Sequence, residues 1–124
     1  MVDESTNFLT YLERYLTDDD RGVSIKPKIV QHFTTKSHER TYSLKLKFCC
    51  DNCGNKWTTV KGVLDVEYFL DKQSRKLRFN AKVYRQDCMK CGETCMPDEY
   101  LDELERVAEA FSNKMFDILF GIKK

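Results

Sequence analysis

The 124 residues contain no apolar run approaching the roughly 18 that a membrane-crossing helix needs. The first residues, MVDESTNFLTYLERYL, place acidic side chains ahead of any apolar stretch and carry no basic leader, so they do not read as a secretory signal. There is no H-E-x-x-H pair, no glycine-rich phosphate loop, and no serine or cysteine nucleophile beside an evident histidine base. The two histidines, His32 and His38, lie in a polar, loop-like stretch and read as surface residues rather than ligands. No low-complexity linker divides the chain, whose length suits a single domain, residues 1–124. These absences argue against an enzyme, a small-molecule substrate and a membrane span, and for a soluble chain in the cytoplasm.

Six cysteines are present, and their meaning depends on compartment. A reducing cytosol disfavours disulfides, so paired cysteines there read first as metal ligands or redox centres. Charge is just as uneven. Residues 1–20 hold one basic and six acidic side chains, residues 21–90 sixteen and six, and residues 91–124 four and eight. A basic centre therefore lies between two acidic ends, although the formal net charge is only +1.

Hydrophobic periodicity gives the order helix, sheet, helix. Phe8, Leu9, Leu12, Tyr15 and Leu16 fall on one stripe and predict a helix over about 6–17, with Ser5, Thr6 or Asn7 as its cap. The run Asp18-Asp19-Asp20-Arg21-Gly22 would end it. From residue 41 the period becomes two, with Tyr42, Leu44, Leu46 and Phe48 opposite Thr41, Ser43, Lys45 and Lys47. Two further strands follow at about 57–70 and 76–86, and the polar link between them predicts an antiparallel hairpin. A long helix is expected over about 98–120. Leu101, Leu104, Ala108, Phe111, Met115 and Ile118 would form its apolar stripe, with Asp98, Glu99, Asp102 and Glu103 at its start and Gly121 as its stop.

Within the sheet-and-metal core, about residues 41–95, two segments share one form: Cys50-Asp51-Asn52-Cys53-Gly54 and Cys88-Met89-Lys90-Cys91-Gly92. A C-x-x-C-G turn aims both sulfurs at one point, and its glycine permits the tight backbone required. The hairpin between the two turns can bring them together, which predicts one structural Zn2+ held by Cys50, Cys53, Cys88 and Cys91. A thioredoxin-like pair would need a single C-x-x-C within a βαβ unit, and iron–sulfur motifs usually carry other spacings. A shell of four thiolates is closed, so catalytic zinc is not expected. Cys49, out of register with Phe48 and Cys50, reads as a packing residue, and Cys95 as a bystander.

The patterns Phe48-x-Cys50-x-x-Cys53-x-x-x-Trp57 and Tyr84-x-Gln86-x-Cys88-x-x-Cys91 together resemble the three-CxxC zinc-finger family, which includes the receptor-transporting and zygote-arrest proteins. Met96-Pro97-Asp98-Glu99-Tyr100 before a long helix, and the helix near the amino terminus, are most similar to the receptor-transporting branch. The likeness covers about residues 5–121. It implies a zinc-bound domain that acts by binding: an adaptor assisting chemosensory G-protein-coupled receptors to the cell surface, or an RNA-binding module. The family's third CxxC pair and a C-terminal membrane segment are not found in these 124 residues.

The expected architecture is α+β: a small antiparallel sheet with a zinc-ribbon-like four-cysteine site, flanked by an N-terminal and a long C-terminal helix. The partner is expected to be a protein, membrane receptors included. The alternative is RNA held by the basic sheet, with Lys45, Lys47, Arg78, Lys82 and Arg85 meeting phosphates.

Overall fold

A computed structural model of the chain describes residues 2–18, 22–98 and 101–121. The elements run β1 (Val2–Asp3), α1 (Ser5–Tyr15), β2 (Thr17–Asp18), β3 (Val23–Ser24), β4 (Lys26–Ile29), β5 (His38–Cys49), β6 (Lys56–Asp71), β7 (Lys76–Val83), β8 (Gln86–Asp87), β9 (Thr94–Cys95), β10 (Pro97–Asp98) and α2 (Leu101–Leu119). The expected turn at Asp19, Asp20 and Arg21, the helix start at Glu99 and Tyr100, and the side chain of Asp98 lie outside the described residues.

The fold is α+β, as the periodicities predict, and β5, β6 and β7 form an antiparallel meander at its centre. Alternation drives it: Leu44, Leu46 and Phe48 of β5, Leu64, Val66 and Tyr68 of β6, and Leu77, Phe79, Ala81 and Val83 of β7 all bury on one face. Both helices cover that face. Phe8 of α1 packs 5.9 Å from Phe79 and 5.8 Å from Phe111 of α2, and Phe111 sits edge-on to Tyr68 at 5.3 Å. Val107 and Ser112 join the buried stripe of α2, whereas Leu101 is largely exposed. Leu101 begins the helix at the rim of the sheet, so helical spacing alone overstates its burial.

Several short elements escaped the sequence patterns, and three of them, β1, β4 and β10, seal edges of the main sheet. The free edge of β7 pairs antiparallel with β1 at Val83 and Lys82 and parallel with β4 from Lys76 to Phe79, so the sheet is not wholly antiparallel. Between them, Ala81 donates its N–H to the Ser5 hydroxyl (2.9 Å) and its carbonyl accepts the Glu4 N–H (2.8 Å). Ser5 is therefore not the helix cap; it is the first residue of α1, and its hydroxyl serves β7 instead. The Asp3 carboxylate accepts the Ser5 N–H at 2.8 Å. On the opposite edge, β10 pairs with β5 at Phe48 and Lys47.

β6 holds one irregularity. Leu44 faces Gly62 but Leu46 faces Thr59, so Val60 and Lys61 together oppose one residue of β5 and form a β-bulge. Lys61 donates its N–H to the Thr59 hydroxyl at 3.0 Å. The bulge reverses the alternation: even positions of β6 are buried from Gly62 onward, whereas Trp57 and Thr59 are the inward positions before it. Gly62 is required at this point. A Cβ there would lie 2.5 Å from the Leu46 side chain and 2.7 Å from the Leu44 carbonyl oxygen.

Candidate metal centre

Each C-x-x-C-G segment is the tip of a two-stranded ribbon, the first between β5 and β6 and the second between β8 and β9. Their backbones are alike. Gly54 donates to the Cys50 carbonyl and Gly92 to the Cys88 carbonyl, both at 2.8 Å, while Cys50 and Cys88 donate to Asn55 and Glu93, also at 2.8 Å. Gly54 and Gly92 adopt φ of 75° and 77°, a region that side chains other than glycine's rarely enter. Because β6 leaves the first knuckle and β7 returns toward the second, both tips meet at one end of the sheet.

The four sulfurs of Cys50, Cys53, Cys88 and Cys91 gather within 4.8 Å of one another. Cys50 Sγ lies 3.5 Å from Cys91 Sγ, and Cys53 Sγ 3.6 Å from Cys88 Sγ. A disulfide would need about 2.05 Å. Sulfurs about 2.3 Å from a tetrahedral zinc would sit about 3.8 Å apart, so the donor set fits that ion. Cys50 and Cys88 are buried in the core, while Cys53 and Cys91 are exposed.

The knuckle backbones also favour thiolates. The Cys53 N–H, with that of Asn52, holds the Cys50 thiol below its ordinary range. Burial pushes Cys88 up, but the N–H groups of Cys91 and Lys90 and the Asn55 amide outweigh it and bring it down to about 6. For Cys53 the Asn55 N–H pulls down, yet desolvation and the neighbouring thiols prevail, pushing it up to about 12. Four crowded sulfurs resist ionising together, and a divalent cation relieves that repulsion. The bound ion would supply a closed, tetrahedral cross-link between the two ribbons.

Residues behind the knuckles align them. Trp57 stacks on Phe48 with centroids 5.1 Å apart and planes 7° from parallel, and its indole N–H donates to Gln86 Oε1 at 3.3 Å. One residue beside the first knuckle is thus tied to one beside the second. Asn55 Nδ2 reaches Cys88 Sγ at 3.6 Å, again across the ribbons. Cys95 lies buried beneath the site, with its thiol donating to the Glu93 carbonyl, whereas Cys49 is half-buried. The Asn55 link and the burial of Cys95 have no signature in the sequence, because both depend on how two distant turns meet.

The five expected phosphate-binding cations are not brought together. Lys45 and Lys47 lie on the outer face of β5 toward the knuckles, while Arg85 borders a groove beside them with Asp51 and Glu93. Lys82 is in register with Asp65, and Arg78 lies over the Phe69 ring at 5.2 Å. Glu39, Asp65 and Glu67 occupy the middle of this face, between the two groups. His38 opens β5 rather than lying in a loop, and its ring packs 5.6 Å from Tyr68.

Fold and site together define a four-cysteine zinc ribbon extended by two helices. A model of the three-CxxC zinc ribbons, described as a zinc-binding domain, matches residues 43–122. The chain belongs to that family. No curated protein and no solved structure matches it.

Proposed function

We propose that this chain acts by binding rather than by catalysis, as a protein adaptor whose recognition surface is displayed by the zinc-bound end. The observation that carries this reading is apolar exposure around the knuckles. Met89, at the tip of the second knuckle, is 98% exposed and Met96 is 54% exposed. Flexible methionines suit surfaces that must accommodate varied partners. Met96 also borders a groove of about 830 Å3, lined further by Asn52, Arg85 and Glu93, which offers polar anchoring beside the apolar contacts. Four cysteines would leave a bound zinc no open position for chemistry, which supports a role without turnover.

The likeness to the receptor-transporting branch makes a membrane receptor in the cytoplasm-facing pathway the proposed partner. Among the described residues no helix is long and apolar enough to cross a membrane, so contact with a receptor is assigned to the surface of the module. An immobilised, zinc-loaded chain should retain receptor polypeptides from detergent-solubilised membranes. A Met89→Asp, Met96→Asp variant should lose them. Equal capture by both proteins, or capture by neither, counts against the reading. The RNA alternative is the weaker one, because the acidic middle of the outer face interrupts the cationic track. A flat RNA titration at low salt would dispose of it.

A further inference from the structure

The end of the β6–β7 ribbon remote from the knuckles carries an arrangement that the adaptor reading does not use. Parallel pairing of β4 with β7 sets Lys26 opposite Lys76 and Lys28 opposite Arg78. Like charges in direct register across strands destabilise a sheet. Here two such pairs are adjacent. They line a cleft of about 580 Å3, together with Asp71 and Ser74. Among the described residues, Lys26, Lys28 and Lys76 take part in no salt bridge. Asp71, in register with Lys76, is engaged by the N–H groups of Gln73 and Ser74 at 3.1 and 3.3 Å. Arg78 is steadied by the Phe69 ring beneath it.

Protection of a sheet edge does not account for this cluster. Lysines on an edge strand do discourage unwanted pairing, and Lys26 and Lys28 sit on β4. Pro27, however, already removes one N–H from that strand. Lys76 and Arg78 belong to β7, which is paired on both sides. Their charges protect no edge, and Asp71 is the one carboxylate among the described residues that lines the cleft with these four cations, so an anion entering it would offset the repulsion that Asp71 leaves.

We propose that this cleft is a binding site for a small anion carrying two or more phosphoryl groups. The spacing selects that class. Facing residues on paired strands are about 4.8 Å apart, and alternate residues along a strand about 6.6 Å. The four cations thus mark the corners of a small rectangle. Linked carboxylates bring two oxygens and one charge to each pair of corners, whereas linked phosphoryl groups bring more oxygens and more charge to each, and the volume is within the range of small-ligand pockets. Arg78 supplies a planar fork for phosphate oxygens, and the lysines supply point charges.

The test uses the zinc-loaded chain titrated with sodium tripolyphosphate, followed by amide NMR and thermal melting, with citrate as the carboxylate comparison. Saturable shifts confined to residues 26–28 and 74–78, with a rising Tm, are the expected result, and citrate should bind at least tenfold more weakly. A Lys28→Gln, Lys76→Gln variant changes two exposed side chains. Without phosphate it should melt no lower than the parent, because repulsion has been removed. Its tripolyphosphate affinity should fall at least tenfold. Shifts that centre on Lys45 and Lys47, no saturable binding, citrate binding as tight as tripolyphosphate, or a variant that binds as well as the parent would each overturn the proposal.

Discussion

Single side chains decide how well the core is satisfied. Ser112 is fully buried in α2, and its hydroxyl has no hydrogen-bond partner among the described residues. Burying a hydroxyl without a partner costs about 1–3 kcal/mol, so Ser112→Ala should stabilise the protein by about 1 kcal/mol, read as a higher urea midpoint with an unchanged slope. Cys88 has the opposite standing. It is buried, contacts Cys53 and receives the Asn55 amide, so Cys88→Ser should abolish stoichiometric zinc and lower Tm sharply. Retained metal on native mass spectrometry would remove Cys88 from the ligand set. At this scale the sequence spoke clearly about the four thiols, because two matching C-x-x-C-G turns constrain their own local geometry. It misplaced Ser5, offered as a helix cap, because capping chemistry and edge-sealing chemistry use the same hydroxyl.

Elements are tuned where they join. Gly62→Ala would press a methyl into the Leu46 side chain and the Leu44 carbonyl oxygen, the latter unable to swing aside. A loss of about 1–3 kcal/mol is expected, along with altered Trp57 fluorescence, because the bulge sets the register of Trp57 against Phe48. An unperturbed melt and spectrum would show that the strand absorbs the methyl. The join between α2 and β5 depends on pH. Glu103 accepts from Arg106 Nε at 2.7 Å and from the Lys45 N–H at 3.0 Å, and these bonds, that of Arg106 first, hold its carboxyl below the usual range. Its contribution is present above the unfolded pKa and is lost as pH falls through the folded one. Glu103→Gln should therefore lower Tm slightly at pH 7, and the gap from the parent should close in acid. A gap that widens on acidification would contradict this sign. The long strands and both helices were legible because each holds a sustained run of one period. The bulge was not, since one inserted residue leaves two good alternating patterns of opposite parity. The two- and four-residue strands were not either, because each is too short to show a period and is defined by the strand it pairs with.

For the whole molecule, the metal end and the helix-covered face share one core: Cys50 and Cys88 are buried in the same cluster as Phe8, Phe79 and Phe111. Chelation should consequently be felt well beyond the knuckles. Removing zinc is expected to give a broad loss of amide protection that reaches β5 and β6, recovered when zinc is restored. Loss confined to residues 50–55 and 88–93 would mean that the helical half stands alone. A second consequence concerns where this molecule can be cut. The family match begins at residue 43, yet the backbone groups along the outer side of β7 are satisfied by Val2, Glu4, Ser5, Lys26 and Val30. A fragment trimmed to 43–122 would keep all four clustered thiols and still present a bare, ready-made template of strand hydrogen bonds. Such a fragment should self-associate through β7 even when fully loaded with metal, so its light scattering would report the missing edge-sealing segments and not a failure to bind zinc.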